Sequence, residues 1–272
     1  MRGHLDVSVE NVTQIWTDRR RGEVRALDGL SHHFASGRFS CILGPSGCGK
    51  STLAQIVGGL EQPSEGRIDI RAADRTPVAP GAASVMVWQN QNLFPWRSVL
   101  DNIAFGLEVA GVGRAERHER ARAWIGAVGL RGFESHLPRQ LSGGMRQRVA
   151  LARALILDRP ILLMDEPFGA LDAQTKFVMQ EELLRIFEAD RRTVLFVTHS
   201  IEEAVLLGDE VVVMTARPGR IKEVIAVDLP RPRRLEMMGT PEFAALAGHV
   251  LALIRDEVTR ALAEQDRPGG AT

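Results

Sequence analysis

Little in this 272-residue sequence marks it for a charged partner, an oxidising compartment or a bilayer. Lys and Arg number 34 against 34 Asp and Glu, a net charge of zero, so the overall balance calls for neither nucleic acid nor an acidic membrane surface. Two cysteines, Cys41 and Cys48, are too few for a disulfide framework and have no histidine beside them to suggest a metal site; they fit a reducing cytosol. No apolar run approaches the roughly 18 residues of a membrane helix, and the longest candidates, 161–164 and 210–214, are short. The first six residues lack the apolar stretch of a secretory signal. If the chain works at a membrane, it does so by docking onto another chain. The remainder is ordinary for a soluble globular chain, with 44% hydrophobic and 25% charged residues. The length fits one large domain or one domain with a subdomain, and there are no repeats or low-complexity segments.

Residues 5–43 read as short strands, with Leu5, Val7 and Val9 alternating with polar residues and the charged run Arg19-Arg20-Arg21-Gly22-Glu23 as a solvated hairpin turn. An apolar strand at 39–43 runs into Gly44, and a helix is expected over 50–60. Residues 61–88 look β-rich, with strands near 66–70 and 84–88 and a turn at 77–81. From about 97 to 157 the pattern becomes helical, with helices near 115–128 and 145–157. Strands return at 161–164, 193–198 and 211–214, with a helix at 173–189 between the first two. Strands alternating with helices predict a parallel sheet. The fold class expected is therefore α/β, with antiparallel strands at the N-terminal edge and a helical insert. The Arg-Pro-Arg-Arg run at 231–234 reads as solvated, and a last helix is expected over 241–264.

The segment Gly44-Pro45-Ser46-Gly47-Cys48-Gly49-Lys50-Ser51-Thr52 matches G-x-x-x-x-G-K-[ST], entered by a strand and left by a helix. Glycines there let backbone N–H groups approach phosphate oxygens, and the helix start adds a positive dipole end. Lys50 is placed to reach the β- and γ-phosphates and Ser51 to ligate Mg2+. The strand ending in Asp165-Glu166 supplies two carboxylates. Such a strand is expected beside the phosphate-loop strand, with Asp165 holding Mg2+ and Glu166 polarising the attacking water. Leu141-Ser142-Gly143-Gly144-Met145-Arg146-Gln147-Arg148 is a second candidate anion site, with Ser142 able to cap a helix and the two glycines exposing backbone N–H groups. One nucleotide needs only one phosphate loop, and the oddity disappears if this site serves the nucleotide of a neighbouring copy.

Leu-Ser-Gly-Gly-Met-Arg-Gln-Arg resembles the signature of ATP-binding-cassette (ABC) ATPases, and the other elements of that family follow in order over about residues 5–220. Gln89 resembles the Q-loop glutamine, Gly169-Ala170-Leu171-Asp172 the D-loop, and His199 the switch histidine. Trp16 stands where the family usually carries an adenine-stacking aromatic, more often Tyr. The resemblance implies a P-loop NTPase core, a RecA-like parallel sheet with flanking helices, with an N-terminal antiparallel β-subdomain and an inserted α-helical subdomain at about 97–157. Residues 221–272 would be a C-terminal extension. It implies ATP and Mg2+, Gln89 touching the metal and sensing the γ-phosphate, and His199 hydrogen-bonded to that phosphate. Two copies would pack head to tail, with Asp172 coupling the two sites and Ser142, Gly143 and Gly144 of one copy completing the site of the other.

A single cassette with no membrane span or heptad arm favours a separate transporter subunit; a non-transport ABC regulator is the alternative. The stretch Gln91-Asn92-Leu93-Phe94-Pro95-Trp96-Arg97-Ser98-Val99-Leu100-Asp101-Asn102-Ile103 is similar to the nitrate/sulfonate/taurine branch of bacterial importers. So are Phe168-Gly169-Ala170-Leu171-Asp172-Ala173-Gln174-Thr175, Arg217-Pro218-Gly219-Arg220-Ile221 and 227–232. That likeness implies permease subunits as partners, an external solute-binding protein as an indirect one, no nucleic acid, and a peripheral place on the cytoplasmic face of the plasma membrane. Pro95-Trp96 would form an apolar lip for a permease helix. The cargo would be a small anionic or zwitterionic solute, chosen by other chains.

Overall fold

The computed structural model describes residues 5–18, 22–169 and 171–265. The arginines at 19–21 and Ala170 lie outside the described residues. The first half of the chain carries β1 (Leu5–Asp18), β2 (Gly22–Phe34), β3 (Phe39–Leu43), α1 (Lys50–Val57), β4 (Glu65–Ala72), β5 (Pro77–Val78) and β6 (Ser84–Val87). Then follow α2 (Val99–Val109), α3 (Arg114–Ala127), α4 (Gly143–Leu155), β7 (Ile161–Asp165), α5 (Ala173–Ala189), β8 (Thr193–Thr198), α6 (Ile201–Leu207), β9 (Glu210–Met214), β10 (Ile221–Ala226) and α7 (Pro241–Gln265).

Two sheets organise these elements. The antiparallel one has the order β2-β1-β4-β5. Its first hairpin is one long ribbon of 14 and 13 residues rather than several short strands. Register shifts between Val9 and Val12 and again before Ile15 interrupt the alternation, which is why the sequence reads as shorter pieces. The second sheet has the order β10-β9-β3-β8-β7-β6. It is parallel except at β10, which runs antiparallel to β9. The strand of Asp165 and Glu166 is therefore not beside the phosphate-loop strand, as its sequence suggests: β8 lies between them. Leu43 faces Thr198, Asp165 faces Val197, and Val87 faces Met164. The strands thus end at one level, and the loops after β3, β6, β7 and β8 gather along one edge, where ligands of open α/β sheets bind.

Alternation on β3, β7 and β8 divides two cores. Phe39, Cys41, Leu43, Leu162, Met164, Val194 and Phe196 face Leu183 and Phe187 of α5, Leu206 of α6 and Val250 of α7. Ile42, Ile161, Leu163, Leu195 and Val197 face Leu53 and Ile56 of α1 and Val7, Val9 and Phe34 of the antiparallel sheet. With both faces covered, these strands read as unbroken apolar runs. A third core, Val99, Ile103, Ala121, Ile125, Val149 and Ala152, belongs to α2, α3 and α4, which fits a separate helical insert. Helix α1 stops at Val57, short of the expected 60. Gly59 leaves the helix at φ 66, and a Cβ there would lie 2.6 Å from the carbonyl oxygen of Pro80.

Residues after 220 begin as sheet: β10 pairs with β9, and α7 packs Phe243 and Val250 into the first core. The arginine run at 231–234 is not solvated throughout, because the fold puts acceptors under it. Arg231 lies 2.7 Å from Glu188 and 2.7 Å from Asp209 and donates to the Leu207 carbonyl. Arg233 is buried, donates to the carbonyls of Val205 and Val227, and has its pKa lowered to about 10 by burial. Arg231 is the clamp between tail and core. Arg231→Ala takes the near cation from Asp209 and Glu188; because Glu188 keeps Arg191 at 3.6 Å and remains 23% exposed, the cost falls below that of a fully buried pair, at about 2 kcal/mol. A melt followed by circular dichroism should then fall by roughly 4–8 °C.

Candidate functional site

The phosphate loop curls around its own side chains. Gly44 has no room for a Cβ, which would lie 2.9 Å from the Cys48 sulfur. Gly49 sits at φ 101, and a Cβ there would come within 2.8 Å of the Ala26 carbonyl on β2. Pro45 and Cys48 are buried, and burial pushes the Cys48 thiol up. Ser46 and Gly47 face outward, while Ser51 and Thr52 are half-buried in the first turn of α1. The Lys50 ammonium folds back into the loop, donating at 2.9 Å to the carbonyls of Gly44 and Pro45, and is 5% exposed.

Although β8 intervenes, Ser51 Oγ reaches Asp165 and donates to its Oδ1 at 2.8 Å. Burial raises the Asp165 pKa above the ordinary carboxylate value, against the lowering effect of the Ser51 hydrogen bond. Glu166 leaves β7 at φ 45, a left-handed conformation uncommon for a non-glycine residue, pinned by its N–H to the Val197 carbonyl at 2.9 Å. Its Oε2 lies 3.3 Å from Gln89 Nε2 and 3.3 Å from His199 Nδ1. Three side chains from the ends of β6, β7 and β8 thus meet beside the loop after β3. The oxygens of Ser51, Asp165 and the Gln89 amide are the hard donors that Mg2+ favours.

Ser142, Gly143 and Gly144 lie elsewhere. Ser142 Oγ caps α4 by accepting the Met145 N–H at 3.2 Å. A Cβ on Gly144 would sit 2.8 Å from Thr175 Cγ2, so this segment packs on the start of α5. Asp172 caps that same helix, accepting the Thr175 N–H at 3.0 Å, a bond that lowers its pKa. Among the described residues no hydrogen bond joins Ser142, Gly143, Gly144 or Asp172 to the phosphate loop. Trp16, paired with Val24 near the end of the hairpin, is 38% exposed and stacks on no described ring.

Sequence reasoning missed a support beneath His199. Glu203 is buried and accepts from Thr198 Oγ1, while the Lys176 ammonium lies 2.6 Å from its other oxygen. Lys176 stands one turn into the helix that Asp172 caps, so the same pair ties α5 to the His199 turn. The spacing Thr198 to Glu203 across a short helix start was the available clue.

A buried ammonium cradled by loop carbonyls, level with an acid pair on the same sheet edge, is the arrangement that holds and cleaves a nucleoside triphosphate. The class defined is a P-loop ATPase with an antiparallel subdomain and a helical insert. Residues 27–169 match the ABC transporter family. An uncharacterized ABC transporter ATP-binding protein of Methanocaldococcus jannaschii is 47% identical over 96% of this chain and 96% of its own length. The taurine import ATP-binding protein TauB of Burkholderia pseudomallei is 49% identical over 78% of this chain and 81% of its own. The nitrate import ATP-binding protein NrtD of Synechocystis is 41% identical over 94% and 97%. A dimeric, post-hydrolysis state of the ATP-binding cassette MJ0796 bound to ADP and Pi superposes with a TM-score of 0.72 at 31% identity, covering 82% of this chain and all of that one. The chain belongs to the ABC transporter family and is an ATP-binding ATPase subunit of that class.

Proposed function

We propose that the chain is the ATP-hydrolysing subunit of a bacterial importer of a small anionic or zwitterionic solute such as nitrate, a sulfonate or taurine. It would sit at the cytoplasmic face of the plasma membrane, bound to permease subunits that an external solute-binding protein loads. Residues 5–220 would be the ATPase domain, with an insert at about 97–157, and 221–272 an extension packed on it. The names of the taurine and nitrate relatives support this reading; nothing in them favours a non-transport regulator.

The observation that carries it is an apolar groove of about 600 Å3 between β6 and the helical insert, lined by Phe94, Phe105, Val109, Leu157 and Arg153. Its wall includes Gln91 and Asn92, whose carbonyls accept from Arg153 at 2.8 Å. Two residues before Gln91 is Gln89, with its amide on Glu166. A permease helix in the groove would press on the segment that ends at the acid pair. Trp96, 73% exposed and 5.8 Å from the Phe94 ring, stands beside the groove, where it would meet the permease.

In this reading Lys50 and the N–H groups of 44–52 hold the ATP phosphates, and Trp16 stacks on adenine. Ser51, Asp165 and Gln89 would hold Mg2+, which when bound neutralises charge on the phosphate oxygens. Glu166 accepts the proton of the attacking water, while His199 hydrogen-bonds the γ-phosphate, steadied by Glu203. Ser142, Gly143 and Gly144 of a second copy close the site, and Asp172 couples the two sites. Binding closes the head-to-tail dimer and hydrolysis lets it open.

Trp96→Ala is expected to weaken co-purification with the co-expressed permease by roughly tenfold or more, the scale of an aromatic interface anchor, with ATP affinity unchanged. Equal recovery of permease with both proteins would remove Trp96 from the interface. The reading as a whole is tested by reconstituting the complex and asking which solute-loaded binding protein stimulates ATP turnover.

A further inference from the structure

The stretch between β9 and β10 crosses the phosphate loop and fastens it to the C-terminal helix. Arg217 Nε donates to the carbonyl of Gly47 at 3.0 Å, and its Nη2 would lie 2.9 Å from a Cβ on that glycine. Gly219 is wedged behind the loop: a Cβ there would fall 2.0 Å from the Cys48 carbonyl oxygen. Its N–H donates to the Ala26 carbonyl at 2.9 Å, and its own carbonyl accepts the Asp28 N–H at 3.1 Å, so it bridges to β2. Arg220 adds an ion pair to Asp28. At the other end the Ala216 N–H donates at 2.9 Å to Glu257 on α7, a carboxylate 1% exposed. Lys222 lies 2.9 Å from the second oxygen of Glu257 and donates to the Leu253 carbonyl, which fixes that carboxylate in place.

We propose that Arg217 is a positioning residue of the nucleotide site, and that α7 sets it through Glu257. The Gly47–Cys48 peptide is trans, so its carbonyl and the Cys48 N–H point in opposite directions. Holding the carbonyl outward with Arg217 keeps that N–H turned into the loop, toward the Pro45 carbonyl at 3.4 Å. Gly47 is exposed and sits at φ 74, a conformation glycine leaves easily. Without the strap its peptide can flip, and a flipped peptide aims a carbonyl at an incoming phosphate. The C-terminal extension thereby tunes nucleotide affinity from the far side of the sheet, with no residue of its own in the site.

The inference rests on the phosphate loop being the nucleotide site, and Lys50→Ala tests that separately. ADP binding to the full chain by calorimetry is the readout, with KM and kcat for ATP measured alongside. Arg217→Ala should weaken ADP binding by roughly three- to tenfold, the range of one hydrogen bond, raising KM by the same factor and leaving kcat within about twofold. Amide exchange should quicken over 44–49 and not elsewhere. Glu257→Ala should weaken binding in the same direction, and the double variant should be no weaker than Arg217→Ala alone. If Glu257→Ala does not fold, Glu257→Gln, which keeps an acceptor for Ala216, should show a smaller loss. Additive losses would overturn the link to α7. Unchanged ADP affinity in Arg217→Ala, with binding lost in Lys50→Ala, would overturn the strap alone; wild-type binding in Lys50→Ala would remove the nucleotide site and the inference with it.

Discussion

Glu166→Gln is expected to bind ATP as the native protein does and to hydrolyse it about 10²- to 10⁴-fold more slowly, the usual contribution of a positioned general base. The amide has the shape of the carboxylate, and the backbone that holds it at φ 45 is fixed by the Val197 carbonyl, so the position should survive the change. What is lost is the acceptor for a proton. Gln89 and His199 each approach Glu166 Oε2 at 3.3 Å, and they orient the carboxylate without replacing it. If, as proposed, ATP binding favours the closed dimer and hydrolysis lets it open, the variant should accumulate as a dimer in ATP and run as a monomer in its absence. Size-exclusion chromatography with and without ATP, paired with a single-turnover rate, reads both effects. A variant that stays monomeric in ATP, or turns over at the native rate, would falsify the role given to Glu166.

The site was legible in the sequence to the extent that it is local. The phosphate loop, the Asp165-Glu166 strand end and the Ser142 cap are each set by a few neighbouring residues, and each lies on the element its pattern implied. What the sequence does not carry is which strands become neighbours. The insertion of β8 between β3 and β7 depends on pairings across more than a hundred residues, such as Leu43 with Thr198. The same holds for β10, which looks like tail until its register with β9 is seen. Charge misleads for a related reason. Arg231 and Arg233 read as solvated because most of the groups that bind them, the carboxylates of Glu188 and Asp209 and the carbonyls of Leu207 and Val205, come from the end of α5, from α6 and from the turn before β9. Arg217 was legible only as a branch marker, since its contact with Gly47 spans 170 residues.

Lys50→Ala is expected to remove nucleotide binding while leaving the fold intact, and the two outcomes share one cause. The ammonium is 5% exposed, yet its close partners are the neutral carbonyls of Gly44 and Pro45, and among the described residues no carboxylate forms an ion pair with it. A buried cation so placed costs folding energy that carbonyl dipoles only partly offset. An incoming phosphate supplies the missing counter-charge. Two charge-assisted hydrogen bonds to phosphate oxygens, at about 1.5–3 kcal/mol each, amount to a loss of roughly 10²- to 10⁴-fold in affinity when Lys50 is removed. The same truncation relieves the desolvation cost in the free protein, so the melting temperature without ligand should stay within about 2 °C of native, as for a change with no net loss of packing. With ligand at a hundred times its native Kd, the native chain should gain about 2.7 kcal/mol of stability. That gain corresponds to a rise of roughly 5–10 °C, and the variant should show none of it. A Lys50→Ala protein that melts as native and still rises with ATP would mean that ATP binds without this ammonium and that the loop is not its site.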